Sequence, residues 1–258
     1  MRKPCSLATT RLCVARDFRS PWFAPILDAL HLGASMHRKY WEFVSIVHAL
    51  EGAGPRGIGF GVGTEPLTSY FASVGRDVLA TDLCEGGVVW ASQHAGELDA
   101  VHNASVCGRE AFLAHAHYRN VDMTEIPQDL ACGEFDFAWS SSSLEHLGSA
   151  GAGEEFIRQS LRCLRPGGIA AHTTEFNVSE DVRRPKKTSV AVYCRSDVEK
   201  LLTETAEEQE CDWWLGDEPA DAYIDRGPYT MDPHLKLELS NTVITSILVV
   251  LRKAREGA

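Results

Sequence analysis

The chain has no C-x-x-C pair. Its 8 cysteines, Cys5, Cys13, Cys84, Cys107, Cys132, Cys163, Cys194 and Cys211, are scattered through 258 residues. That scatter argues against a zinc site or a disulfide framework and fits thiols in a reducing compartment. Cationic side chains are outnumbered, and the formal net charge is -11. An acidic surface gains nothing from counterion release, so nucleic acid is not expected as a partner. The one basic cluster, Arg183, Arg184, Lys186 and Lys187, reads as a solvated loop. Long apolar runs are missing: Ile247 to Leu251 falls far short of the roughly 20 residues of a membrane span. No apolar stretch follows Arg2 and Lys3, so no secretion signal is expected and the expected location is the cytoplasm. His94, His102, His115 and His117 lack a carboxylate or cysteine at a ligand spacing, and no metal is expected. Internal repeats and low-complexity segments are absent.

What is present centres on Arg56 to Leu83. A short strand runs into Gly59, Gly61 and Gly63. Leu67, Tyr70, Phe71 and Val74 then form an i, i+3, i+4, i+7 stripe, the mark of a helix with one buried face. Pro66 fits its first turn and Gly75 its stop. Val78 to Ala80 reads as a buried parallel strand with Asp82 at its carboxyl end. This is a βαβ nucleotide-binding unit, in which glycines admit close backbone approach and the acid accepts from ribose hydroxyls. The third glycine of G-x-G-x-x-G is missing, since Thr64 or Pro66 stands there. A G-x-x-x-x-G-K-[ST] loop is missing too. Dinucleotides and a triphosphate cradle are thereby excluded.

Around this unit strands and helices alternate. Helices are expected over 21–32 and 36–50, and the second is either a lid or a helix packed on the sheet edge. Further helices are expected over 88–94, 154–164 and 196–208, the last opened by a capping box from Ser196 to Glu199. Strands are expected over 118–121, 135–139, 169–171, 211–215 and 239–251, with a flexible turn over 149–153. The alternation favours an α/β fold, mostly parallel, with helices on both faces. The last two strands have no helix between them, so the last should run antiparallel. Residues 1–50 are read as an N-terminal helical segment and 51–258 as the main domain.

GFGVGTEPL, VLATDL, VDMTEIP, FDFAWSSSSLEHL, LRCLRPGG and IAAHTTEF follow one another across about 58–176. In that order they resemble the class I S-adenosylmethionine (SAM) dependent methyltransferases. More narrowly, HRKYWEF to HTTEFN resembles bacterial methyltransferases of uncharacterised substrate. The resemblance implies a Rossmann-like, doubly wound, seven-stranded sheet and SAM as cofactor. It implies Gly61 and Gly63 against the methionine part, Asp82 with Leu83 at the ribose, and Asp122 with Met123 at the adenine. Ser140 and Ser141 would lie beside the methionine. In two places the sequence departs from the pattern. Many members carry an acid where this chain has Gly59 and a glycine where it has Glu65. The expected partner of the SAM ammonium is then Glu65, from the next turn, or a water.

Methyl transfer from a sulfonium needs the acceptor placed behind the methyl group and water kept out. An oxygen acceptor also needs a base. The candidates at the carboxyl ends of strands are His146 first, then His172 and Glu175. Lys39 and Tyr40 could cover SAM from the N-terminal helix, and Asp225 and Tyr229 could line the acceptor pocket. The expected reaction is methyl transfer to an O or N atom of a small molecule or glycan. The alternative is a catalytically silent SAM-fold protein that binds a partner. The sequence does not specify an oligomeric state.

Overall fold

A computed structural model describes residues 9–83, 96–179, 190–205, 209–210, 224–225, 232–239 and 242–255. The expected helix over 88–94, the basic cluster at 183–187, the expected strand over 211–215 and Tyr229 lie outside the described residues.

One sheet organises the chain. Its strands are β1 (Arg11–Leu12), β2 (Arg56–Phe60), β3 (Asp77–Asp82), β4 (Ala116–Asn120), β5 (Phe135–Ser141), β6 (Leu164–Asn177), β7 (Gln209–Glu210), β8 (Leu237–Leu239) and β9 (Thr242–Lys253). Their order is β1-β9-β6-β5-β2-β3-β4, with β7 and β8 also paired to β9. β2 to β6 pair in parallel, and β9 runs antiparallel to β6. The mostly parallel sheet and the antiparallel last strand agree with the sequence reading. The short β1, β7 and β8 are additions, all held by β9. The long strand expected over 239–251 is β9, which begins at Thr242, while Leu239 belongs to the short β8 paired with it.

The helices are α1 (Phe23–Ala29), α2 (Arg38–Leu50), α3 (Leu67–Ser73), α4 (Arg109–His115), α5 (Ala150–Cys163) and α6 (Arg195–Glu204). Alternation along the strands sorts the core into two faces. Phe137 and Trp139 of β5 pack with Val44, Val47 and Leu50 of α2 and Phe71 of α3. Ala138, between them, faces Phe156 and Leu161 of α5 and Leu201 of α6 on the other side. So α2 is packed on the sheet, and its N-terminal half reaches the cavity described below through Arg38, Lys39 and Phe43.

Three local expectations need correction. Ser149 caps a helix at once, its Oγ accepting from Ala152 N at 3.1 Å, so α5 begins inside the stretch read as a turn. α6 opens at Cys194 rather than Ser196, because the Asp197 carboxylate reaches back to Cys194 N at 2.8 Å. Val74 is 53% exposed, because α3 ends at Ser73 and the chain turns at Gly75. Among the described residues no helix is long and apolar enough to cross a membrane.

Candidate active site

The strand order brings the carboxyl ends of β4, β3, β2, β5 and β6 side by side. A cavity of about 630 Å³ runs along them. Open α/β sheets bind ligands at this edge.

The β2 turn is built by backbone conformation. Gly61 and Gly63 have φ of +57° and +50°, the left-handed region that glycine enters without a Cβ clash. A side chain at Gly61 would also meet Ser143 Oγ at 2.7 Å and Met123 Sδ at 2.9 Å. The turn is tied to β3: Gly63 N donates to Asp82 Oδ2 at 3.1 Å, and Leu83 N donates to Asp82 Oδ1 at 2.9 Å. The Asp82 carboxylate is thus fixed at the cavity wall. Asp122, after β4, accepts at Oδ1 from Thr124 N and Thr124 Oγ1, both at 2.7 Å. It shapes a turn and lines the cavity together with Met123.

Glu65 is half-buried on the same wall, its Oε1 accepting from Trp139 Nε1 at 2.6 Å. Burial holds this carboxyl well above the usual carboxylate range; the Trp139 N–H opposes the shift and the Asp82 charge adds to it. Trp139 also explains Gly59. The two residues are register partners on β5 and β2, and a Cβ on Gly59 would collide with the indole ring. An acid at position 59 has no room, and the ring that takes its space directs a donor at Glu65.

At the other end, Glu42 of α2 is fully buried. It accepts from Ser246 Oγ at 2.5 Å, Ser142 Oγ at 2.6 Å and Thr173 Oγ1 at 3.1 Å. Lys39 Nζ lies 3.3 Å away and Arg38 Nη1 3.5 Å. Burial alone would raise its pKa, but Lys39, Arg38 and the serine hydroxyls hold it at about 2. Ser142 carries a left-handed φ of +49°, an uncommon state for a side-chain-bearing residue, kept by its bonds to Glu42 and β6. Arg38 Nη1 also binds Glu175 Oε1 at 2.7 Å. Glu145 follows β5 on a 3-10 turn, where its Oε2 accepts from Thr174 Oγ1 at 2.9 Å. Burial, with the charge of Glu175, pushes Glu145 up to about 7.

The cavity thus collects most of the residues singled out from sequence: Lys39, Gly61, Gly63, Glu65, Asp82, Leu83, Asp122, Met123, Ser141, His146 and Glu175. Others lie elsewhere. His172 is fully buried between Ser140 Oγ at 2.8 Å and Ser160 Oγ at 3.0 Å, and burial lowers its pKa to about 3. Neither it nor Ser140 lines the cavity, because side chains at these positions point into the α5 side of the sheet rather than past its edge. Tyr40 packs beside His37, and Asp225 is buried against His234 Nδ1 at 2.8 Å. Sequence reasoning passed over Glu42, Trp139 and Glu145. The signals for the first two were the Arg38–Glu42 i, i+4 spacing and a strand glycine facing a tryptophan.

The doubly wound sheet with its glycine turn and fixed β3 acid defines a Rossmann-like nucleotide-binding fold. Residues 58–172 match the family model described as methyltransferase domain. Over those residues the chain is similar to methyltransferase domains, in line with the resemblance read from the sequence. Against the curated protein sequences, nothing matches. Among solved structures, the [4+2]-cyclase SpnF is similar at 16% identity and TM-score 0.53, over 97% of this chain and 88% of that one. The magnesium protoporphyrin IX methyltransferase of Synechocystis PCC 6803 with bound SAH gives 12% identity and TM-score 0.49, over 93% and 98%. The CurJ carbon methyltransferase gives 16% identity and TM-score 0.46 over 84% of this chain. This chain spans about half the length of that protein, 54%. At these identities the likeness concerns the fold.

Proposed function

We propose that the cavity holds SAM at its β2–β3–β4 end and presents the methyl group toward β6, where a small-molecule or glycan acceptor offers an oxygen or nitrogen atom. One observation carries the reading. A half-buried acid with no ion pair among the described residues, Glu65, sits on the same cavity wall as the left-handed glycines and the anchored Asp82. SAM brings an ammonium for the first and ribose hydroxyls for the second. In this reading Gly61 and Gly63 let the backbone approach the methionine portion, and Ser141 flanks it. Asp122 and Met123 meet the adenine.

When bound, SAM supplies an activated methyl group. The chain's own residues orient the acceptor and exclude water. Glu175 and His146, on the β6 side, are the candidates to receive a proton, and Lys39 covers the site from α2. The net charge of -11 supports an acceptor other than nucleic acid.

Calorimetric titration with S-adenosylhomocysteine tests the cofactor end. Saturable binding that weakens about ten-fold or more in Asp82→Asn is expected. No binding by the folded protein would overturn the reading. S-adenosylhomocysteine formation from SAM with acceptor panels separates methyl transfer from a silent SAM-binding role.

A further inference from the structure

The β6 end of the cavity holds more negative charge than it neutralises. Arg38, Lys39, Glu145 and Glu175 line it, with Phe43 and Val190 as apolar walls and Glu42 directly behind. Arg38 Nη1 bonds Glu175 at 2.7 Å and Ser246 Oγ at 3.1 Å, while its Nε is buried with no hydrogen-bond partner among the described residues, and Lys39 pairs with Glu42 at 3.3 Å. Two cations therefore face three carboxylates. Among the described residues no ion pair reaches Glu145, whose hydrogen bond comes from the neutral Thr174 hydroxyl. A second, independent feature points to a ligand. Glu175 is only 6% exposed, and its Oε2 is buried with no hydrogen-bond partner among the described residues. A buried carboxylate oxygen left so is costly unless something entering the cavity donates to it.

We propose that the methyl acceptor is an amine. It enters as its ammonium ion, donates one N–H to Glu175 Oε2 and passes a proton to Glu145. This rests on the methyl-transfer reading above and narrows its acceptor to nitrogen. The chemistry balances. The ammonium and the Glu145 carboxylate become a neutral amine and a carboxylic acid. The nitrogen lone pair then forms the N–C bond as the sulfur–methyl bond breaks, its electron pair staying on sulfur. The product leaves as a methylated ammonium.

Charge favours an amine over an alcohol. With Glu145 ionised the cluster carries one excess negative charge, which a monocation cancels and a hydroxyl leaves in place. Proton affinity points the same way. An alkylammonium, at about 10 like a lysine, is far closer in acidity to Glu145, at about 7, than an alcohol is. The groups that face Glu145 are Glu175 from β6 and Lys39 and Glu42 from α2, with Arg38 beside them and His146 next in the chain. Cation entry relieves the repulsion from Glu175, so Glu145 should give up the proton it holds.

The test uses the full chain saturated with S-adenosylhomocysteine and matched probes: benzylamine against benzyl alcohol, and glucosamine against glucose. Isothermal titration in buffers of different ionisation heat reads affinity and proton release together. At least one amine should bind about ten-fold or more tightly than its hydroxyl counterpart. At pH 7 its binding should release about half a proton. Glu145→Gln should abolish the release, and Glu175→Gln should remove the amine preference. If Glu175→Gln does not fold, the release by the unaltered protein and its loss in Glu145→Gln still decide the matter. Equal affinity for amine and alcohol, proton release unchanged in Glu145→Gln, or no amine binding at tens of millimolar overturns the proposal. Failure of S-adenosylhomocysteine to bind at all instead overturns the cofactor reading on which it rests.

Discussion

Trp139 Nε1 donates to Glu65 Oε1 at 2.6 Å, while its ring fills the space beside Gly59. One side chain thus joins both departures of the β2 turn from the usual pattern. If Glu65 holds the ammonium of SAM, Glu65→Gln should weaken SAM binding about ten- to one-hundred-fold, the range for a charged hydrogen bond. Because the acid is held well above the usual range in the free protein, the same change should alter stability little. Trp139→Phe removes the donor and should lower SAM affinity several-fold. Gly59→Ala should destabilise by about 1–3 kcal/mol through overpacking against the ring. Titration calorimetry and urea unfolding read these effects, and unchanged SAM affinity in Glu65→Gln would mean the acid has not moved.

The fold and the glycine turn at the β2–β3 end of the cavity were legible because their signals are local. Glycines, a helix stripe and a terminal acid lie within Arg56 to Leu83, and the order of strands follows from alternation. The reason for the glycine–acid inversion was not local, since Trp139 stands 74 positions from Glu65. The acceptor end was harder still. Glu42 looks like an ordinary helix-surface acid beside Arg38 and Lys39, and only the arrival of Ser246 from β9 makes it a buried hub. Spacing drew attention to His172 at a strand end, but nothing in the sequence shows Ser140 and Ser160 closing over both ring nitrogens.

Glu42 sets a first acid-sensitive contribution to stability. Its folded pKa, about 2, lies below the ordinary carboxylate value, so the native state binds fewer protons than the unfolded chain between the two. The contribution is present above the unfolded value and is lost as pH falls toward about 2. Glu42→Gln should cost on the order of 3 kcal/mol at neutral pH, because the buried Arg38 loses one of its two countercharges and the partly exposed Lys39 loses its partner. Urea unfolding across pH 2 to 7, with a shallower slope for the variant, checks this.

Glu145 acts in the opposite direction. Its folded pKa, about 7, lies above the ordinary value, so the native state binds the extra proton in between. Stability should decline as pH rises from the carboxylate range to about 7, then level off. Glu145→Gln should remove that decline and be more stable than the unaltered protein at pH 8, on the order of 2–3 kcal/mol. Thermal melts over pH 5 to 8 measure the difference. Identical pH profiles would show that Glu145 is not held protonated.

His172 gives a third contribution with a readable sign. It is buried neutral with a pKa of about 3, so the unfolded chain binds the extra proton below the usual histidine value. Stability from this residue should be complete above pH 6.5 and lost on the way down to about 3. His172→Leu should flatten that slope and cost about 1–3 kcal/mol by stranding two hydroxyls. S-adenosylhomocysteine affinity should stay within about two-fold, which sets a structural role apart from a catalytic one.

β9 has a consequence for the order of assembly. Glu42 waits for Ser246, 204 positions later, while the glycine turn meets its Asp82 anchor only 19 positions on. Contacts of short sequence separation close first, and those of long separation are slow. During synthesis the cofactor end can therefore take shape while the amine-facing end still lacks one wall. Ribosome-bound chains halted before residue 242 should lack that wall until synthesis resumes.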